Sequence, residues 1–149
     1  MENQIFIRES SFESARKKIH ENKGKQIIFS SNDDELNRKI LEKEDINVLL
    51  LNQESRKDFQ KQRNSGFNQV LAKLAKKKNI VIGINLDELI NAGNQKIKSE
   101  ILARIKQNIM LCNKNKLKMI FIGQKRNIYD LKSLGLVLGM PTWMTKLLV

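Results

Sequence analysis

Catalytic chemistry is scarce in this sequence. Its 149 residues include a single histidine, His20, and a single cysteine, Cys112. One histidine excludes a histidine-rich metallohydrolase centre, which needs several imidazoles. One cysteine excludes an internal disulfide framework and fits a reducing compartment. There is neither a GxGxxG nor a Walker A sequence, so nothing signals a dinucleotide or nucleoside-triphosphate site. Apolar runs are short, Val48–Leu51 and Met119–Ile122 being typical, and a bilayer needs about twenty residues. The acidic, polar opening Met1-Glu2-Asn3-Gln4 has the character of neither a signal peptide nor a transit peptide. No internal repeat or low-complexity segment stands out. The expectation is one soluble, cytoplasmic α/β domain over residues 1–149, with no membrane partner.

What the chain has in excess is positive charge. Twenty-eight lysines and arginines face sixteen acids, a formal net charge of +12 and a pI near 9.9. Only seven of the twenty-eight are arginine, the mark of a lysine-rich composition. Such a bias exchanges one base for another and does not create a surplus of bases over acids. A globular domain this basic is drawn to a polyanion, most often nucleic acid.

The hydrophobic pattern alternates between two periods. Gln4–Arg8, Gln26–Ser30, Val48–Leu51, Ile80–Ile84 and Met119–Ile122 read as five strands. Between them Phe12, Ala15 and Ile19 fall at helical spacing, with Gly24 as a terminator. Leu36, Ile40 and Leu41 follow the capping cluster Asn32-Asp33-Asp34-Glu35. A polar loop from Asn52 to Gly66 leads to a helix carrying Val70, Leu71, Leu74 and Ala75. After a short Leu86–Ile90 turn comes the longest helix, Lys96–Cys112, with one apolar stripe that ends on Cys112. That placement makes Cys112 a small core residue, and His20 is a helix-terminal surface residue before it is a metal ligand. The tail holds Leu131, Leu134, Leu136 and Leu138, then a helical stretch after Pro141. Strands that are apolar throughout, separated by helices, predict a parallel sheet. An open doubly wound sheet and part of a (β/α) barrel both satisfy the pattern.

Carboxylates look structural. Asp33, Asp34 and Glu35 sit at a helix start, and Asp87 and Glu88 at the next short helix, where capping outweighs a barrel active site. The bases are placed more suggestively. Functional groups of parallel α/β folds gather beyond the C-terminal strand ends. Those positions hold Arg8, then Arg56, Lys57, Lys61 and Arg63, then Lys125 and Arg126. Individually each reads as a solvated loop charge; as a set they read as a phosphate-binding rim. Helix-surface lysines such as Lys73, Lys77, Lys98 and Lys106 serve solubility in this reading.

Several segments also resemble a known family. Ile46-Asn47-Val48-Leu49, Arg56-Lys57-Asp58, Gly66-Phe67-Asn68-Gln69-Val70-Leu71-Ala72-Lys73-Leu74-Ala75 and Asn79–Leu86 follow the pattern of ribonuclease P protein component 3. So do Asp34–Arg38, the helix around Arg104–Asn108, Tyr129–Ser133 and Leu138-Gly139-Met140. The resemblance covers roughly Phe6 to Met140. It implies a TIM-barrel-like parallel sheet with outer helices and a noncatalytic role in a ribonucleoprotein that is an endoribonuclease. It also implies as partners the ribonuclease P RNA, protein component 2, precursor tRNA indirectly and a second copy of the chain. The RNA and its Mg2+ carry catalysis in that family, and the chain itself binds no cofactor. Arg38, Arg56, Lys73, Arg104 and Lys132 match basic family positions and become candidate RNA contacts.

The departures from the family are specific. Gln69 stands where the family has histidine, and Lys132 where it has arginine. Relatives carry further strand–helix units, so the resemblance implies an incomplete or open barrel. Its open edges and apolar wall would be covered by a partner, by a second copy, or by the apolar tail Leu134–Leu138 and Trp143–Val149. Two other readings compete with the ribonuclease P subunit: a degenerate metal-dependent phosphoesterase barrel, against which the lone histidine counts, and a general basic RNA-binding domain.

Overall fold

All five strands run parallel, and their order in the sheet is their order in the chain. A computed structural model describes residues 3–148; Met1 and Glu2 of the polar opening and Val149 of the apolar tail lie outside the described residues. The elements are β1 (Gln4–Arg8), α1 (Phe12–Glu21), β2 (Gln26–Ser30), α2 (Asp34–Lys43), β3 (Val48–Leu51), α3 (Gln69–Lys78), β4 (Val81–Asn85), α4 (Leu86–Ile90), α5 (Gln95–Lys114), β5 (Met119–Ile122), α6 (Ile128–Leu138) and α7 (Thr142–Thr145). The order 1-2-3-4-5 decides what periodicity left open. A doubly wound sheet reverses its strand order at a switch point, whereas a barrel-type sheet never does.

Side-chain direction supports the same conclusion. Ile7, Ile27, Phe29, Leu49, Leu51, Ile82, Ile84 and Met119 point to one face and form a single core with residues of the helices. The alternate positions Ile28, Val48 and Leu50, backed by Val81, Ile120 and Ile122, form a second, strand-only cluster on the other face. The helices therefore cover one face, and the opposite face corresponds to a barrel interior. Gly83 lies in that interior wall. A Cβ there would come within 3.2 Å of Leu50 Cδ1 and Val48 Cγ1 and 3.3 Å of Ile122 Cγ1, so neighbouring strands fill its place.

Among the described residues the sheet does not close: β1 and β5 each have a partner on one side only. The apolar tail is no cover for the interior wall. Leu138, Met140, Met144 and Leu148 are buried in the core of the helical face. Trp143 Nε1 donates to Asn113 Oδ1 on α5 at 3.0 Å, with the Lys116 ammonium over its ring. The pull of the apolar tail is spent on the outer layer.

Helix starts follow the asparagine-rich composition. Asn68, Asn85, Asn94 and Asn127 each cap the helix that follows, accepting from a backbone N–H two or three residues on, and Asp33 does the same for α2. Helix α6 is the element that periodicity did not mark, because its polar residues Asp130, Lys132 and Ser133 stop at mid-helix and Leu134–Leu138 is apolar or glycine throughout. Its Gly135 is buried where a Cβ would meet Met140 Sδ at 2.8 Å, the close approach that lets α7 fold back. Gly24 falls two residues beyond the α1 C-cap, Asn22, and takes a positive φ of 92° in the turn.

Candidate RNA-binding rim

The loop between β3 and α3 is the structural centre of the C-terminal rim. Connections of this kind usually run two to six residues; this one runs from Asn52 to Asn68 without regular structure. Two arginines hold it. Arg104, reaching in from α5, is 3% exposed and donates through Nε to Asp58 Oδ1 at 3.0 Å. Its Nη1 donates to Gln53 O at 3.0 Å and its Nη2 to Arg56 O at 2.9 Å. Arg56 forks onto both oxygens of Asp34 at 2.8 and 2.9 Å, and its Nε donates to Asn52 O at 2.6 Å. Gly66 passes so near this fork that a Cβ would lie 2.5 Å from Arg56 Nη2. Its positive φ of 74° adds a second reason for glycine.

Carboxylates tie down the rest of the rim. Glu88 accepts from Gln53 N and Glu54 N at 2.7 and 2.9 Å. Burial raises its pKa above the ordinary value, against the opposing pull of these two N–H groups. Asp58 accepts from Asn64 N at 2.9 Å as well as from Arg104 and Arg63. Burial alone would raise its pKa, but the Asn64 N–H and the two guanidiniums outweigh it and hold the carboxyl below its ordinary value. Asp87 Oδ1 accepts from Gln124 N at 3.2 Å, fastening the segment after β5. Asp87 and Glu88 were expected to cap a helix; the cap of α4 is Asn85, and these two acids pin neighbouring loops.

Inside the rim, the strand ends carry amides and hydroxyls. Asn85 Nδ2 donates to Asn52 Oδ1 at 2.8 Å, and Asn52 Nδ2 donates to Ser30 Oγ at 3.0 Å. Among the described residues, no group of three or more His, Cys, Asp or Glu side chains could hold a metal ion. His20 lies at the opposite end of the sheet, its Nε2 3.0 Å from Glu44 Oε2. Cys112 is buried, and burial pushes its thiol up to about 12.

The candidate contacts divide three ways. Arg56 and Arg104 are turned inward, so neither presents a free guanidinium to a phosphate while the loop keeps this form. Arg8, Lys57, Lys61, Arg63, Lys125 and Arg126 are exposed at strand ends or rim loops. Arg38, Lys73 and Lys132 lie on helices: Arg38 pairs with Glu42 one turn on, Lys73 is exposed on α3, and Lys132 is half-buried on α6. Gln69, the residue in place of a family histidine, exchanges two amide hydrogen bonds with Asn115, both at 3.0 Å. Sequence reasoning missed the acceptors Asp58, Glu88 and Gln53. The available signal was the arginines themselves, since a chain that prefers lysine keeps arginine where a planar fork is needed.

Comparison with known proteins agrees with this architecture. The chain is 31% identical over 108 residues to ribonuclease P protein component 3 of Methanosarcina mazei, covering 72% of this chain and 41% of that one. It is 26% identical over 127 residues to ribonuclease P protein component 3 of Methanococcus maripaludis, covering 85% of this chain and 51% of that one. This chain is related to ribonuclease P protein component 3. The same protein of Methanococcus vannielii is 28% identical over 116 residues, 78% of this chain and 47% of its own. The chain thus spans about half the length of these component 3 relatives. A chain in the cryo-EM structure of an archaeal ribonuclease P with mature tRNA shares the fold. Its TM-score is 0.80 at 24% identity, over 96% of this chain and 62% of that one. No protein-family model matches the chain.

Proposed function

We propose that this chain acts as a noncatalytic, RNA-binding subunit of ribonuclease P, supporting removal of the 5′ leader of precursor tRNA by the catalytic RNA. The kinship with component 3 supports the reading most directly. The structural support is a loop-ordered rim where exposed bases gather and where Asp34, Asp58 and Glu88 are already bonded. Lys57, Lys61, Lys125 and Arg126 stand exposed there, while Asp34 and Asp58 are matched by Arg56 and Arg104. A surface of that kind neutralises phosphates and screens the repulsion between RNA segments. The partners in this reading are the ribonuclease P RNA and protein component 2, with precursor tRNA engaged through the complex and a second copy of the chain available to the open edges. The Mg2+ ions belong to the RNA, and the cytoplasm is the compartment.

Reconstitution tests it. The purified chain alone is expected to leave precursor tRNA intact. Added with component 2 to the cognate RNA, it is expected to raise cleavage at moderate magnesium. Metal-dependent hydrolysis by the isolated chain would instead favour the phosphoesterase reading, and RNA binding without any effect on cleavage would favour a general RNA-binding domain.

A further inference from the structure

The rim loop contains a side chain that neither the core nor the loop's own scaffold explains. Phe59 is 57% exposed and belongs to neither hydrophobic cluster, whereas Phe67, at the other end of the same loop, is 6% exposed and packed in the core. The loop carrying Phe59 is anchored at two points. The Asp58 carboxylate, immediately before it, accepts from Arg104 and from Asn64 N, and four residues after it Gln107 Nε2 donates to Arg63 O at 3.1 Å. A phenyl ring kept in water on a pinned loop gains nothing from burial. Two other aromatics are more exposed, with a different setting: Phe6 lies on the open interior face of the edge strand β1, and Tyr129 lies on the outer helix α6.

The surroundings of Phe59 define what it suits. Lys57, Lys61 and Arg63 lie within four residues of it and are all exposed. The nearby acid, Asp58, is already bonded to two arginines. Beside the ring runs a groove of about 760 Å³, whose walls include Gln62, Asn64, Arg38 and Arg63. Of the two carboxylates there, Asp34 is matched by Arg56, leaving Glu35 against Arg38 and Arg63. An aromatic face flanked by cations is the arrangement that holds single-stranded nucleic acid: the ring stacks on a base while the cations follow the backbone. Amides beside it can bond base edges, which a duplex hides and an unpaired nucleotide offers.

We propose that the β3–α3 loop is a stacking platform for an unpaired RNA nucleotide, with Phe59 against the base and Lys57, Lys61 and Arg63 on the adjoining phosphates. The proposal rests on the RNA-binding reading above and specifies its ligand as single-stranded RNA. Arg56 and Arg104 are its positioning residues; they fix the loop and do not touch the RNA.

The test compares the whole chain with Phe59→Ala, Phe59→Leu and Phe59→Trp, using a single-stranded oligonucleotide and a blunt RNA hairpin as probes. Wild type is expected to prefer the single strand. Phe59→Ala and Phe59→Leu should lose on the order of ten- to a hundred-fold in affinity for it and little for the hairpin, with Tm unchanged. Phe59→Trp should bind like wild type, with its added fluorescence quenched on stacking. Single-strand affinity that is unchanged in Phe59→Ala overturns the platform and leaves the subunit reading intact. An unchanged RNA affinity with weakened capture of component 2 overturns it too, and makes Phe59 a protein contact. If wild type binds neither probe, both the platform and the RNA-binding reading fall.

Discussion

Two charge clusters sit at opposite ends of this sheet, and they bury opposite partners. At the C-terminal rim the guanidiniums are inside: the Arg104 and Arg56 side chains are 3% and 9% exposed, against 27% for Asp58 and 40% for Asp34. At the other end the carboxylate is inside: Glu44 is 7% exposed, while Arg16 and His20, which pair with it, are 59% and 58% exposed. A buried guanidinium brings several donors in a rigid fork, and the rim uses them on backbone carbonyls as well as on acids. A buried carboxylate with exposed partners fastens two helix ends and imposes nothing on a loop. The rim cluster is therefore an ordering device for the surface above it, and the Glu44 cluster is a clasp between α1 and α2.

The sharpest way to break this contrast is to remove Arg104. Arg104→Met strands the carbonyls of Gln53 and Arg56 and leaves Asp58 with only Arg63 and the Asn64 N–H. The expected loss is about 3 kcal/mol, a fall in Tm of roughly 6–12 °C for a domain of this size. Hydrogen exchange should rise first in the 52–68 segment. Arg104→Lys should recover only part, because an ammonium cannot span three acceptors in one plane. A loss confined to RNA affinity, with Tm and exchange unchanged, would show that Arg104 is a surface contact after all.

The second prediction separates charge buried in the loop's scaffold from charge exposed on its surface. Replacing Lys57, Lys61 and Arg63 together by alanine should weaken RNA binding on the order of tenfold. Each lost phosphate contact should flatten the slope of log affinity against log salt by about 0.7. Replacing Lys77, Lys98 and Lys106 should matter far less, because they lie on the helical layer. Equal losses from both triple variants would show that the rim has no special role.

At the clasp the effect should be smaller. Glu44→Gln frees two exposed bases into water and keeps an amide in place, so thermal unfolding should report about 1 kcal/mol. A loss as large as that of Arg104→Met would erase the distinction between the two clusters.

These contrasts also mark how far the sequence could be read. The five strands, the helices between them and the apolar stripe ending on Cys112 were legible, because burial on a sheet or helix face imposes a period on neighbouring residues. The choice of barrel-type over doubly wound order was not, since strand order is a relation between segments that no local period encodes; only the family resemblance carried it. Helix α6 escaped because its polar residues end at Ser133, so no amphipathic period runs its length. At the rim, the positions of Lys57, Arg63, Lys125 and Arg126 followed from their places after strand ends. The inward roles of Arg56 and Arg104 did not follow, because their acceptors are backbone carbonyls and an aspartate 46 residues away in sequence from Arg104. A carbonyl has no letter in the sequence.

The smallest effect, and the one that addresses the rim without a mutation, is acidification. Asp58 has its pKa held below the ordinary carboxylate value in the folded chain. A group depressed on folding binds fewer protons in the folded state, so its contribution is present above the unfolded pKa, near 4. That contribution is lost as pH falls through the lower folded value. Glu88, raised by burial, works in the opposite sense: its ionised form costs stability, a cost that is relieved as pH falls toward 4. Between pH 7 and about 4.5 the rim should therefore hold or tighten slightly. Below about 4 it should loosen as Asp58 takes up its proton and releases Arg104 and Asn64 N–H. Hydrogen exchange of the 52–68 segment across that range, compared with Asp58→Asn, is the measurement. The variant should remove the acid-side loosening and leave the Glu88 trend in place. If both proteins loosen in parallel below pH 4, the Asp58 carboxylate is not what keeps the loop in register with Arg104.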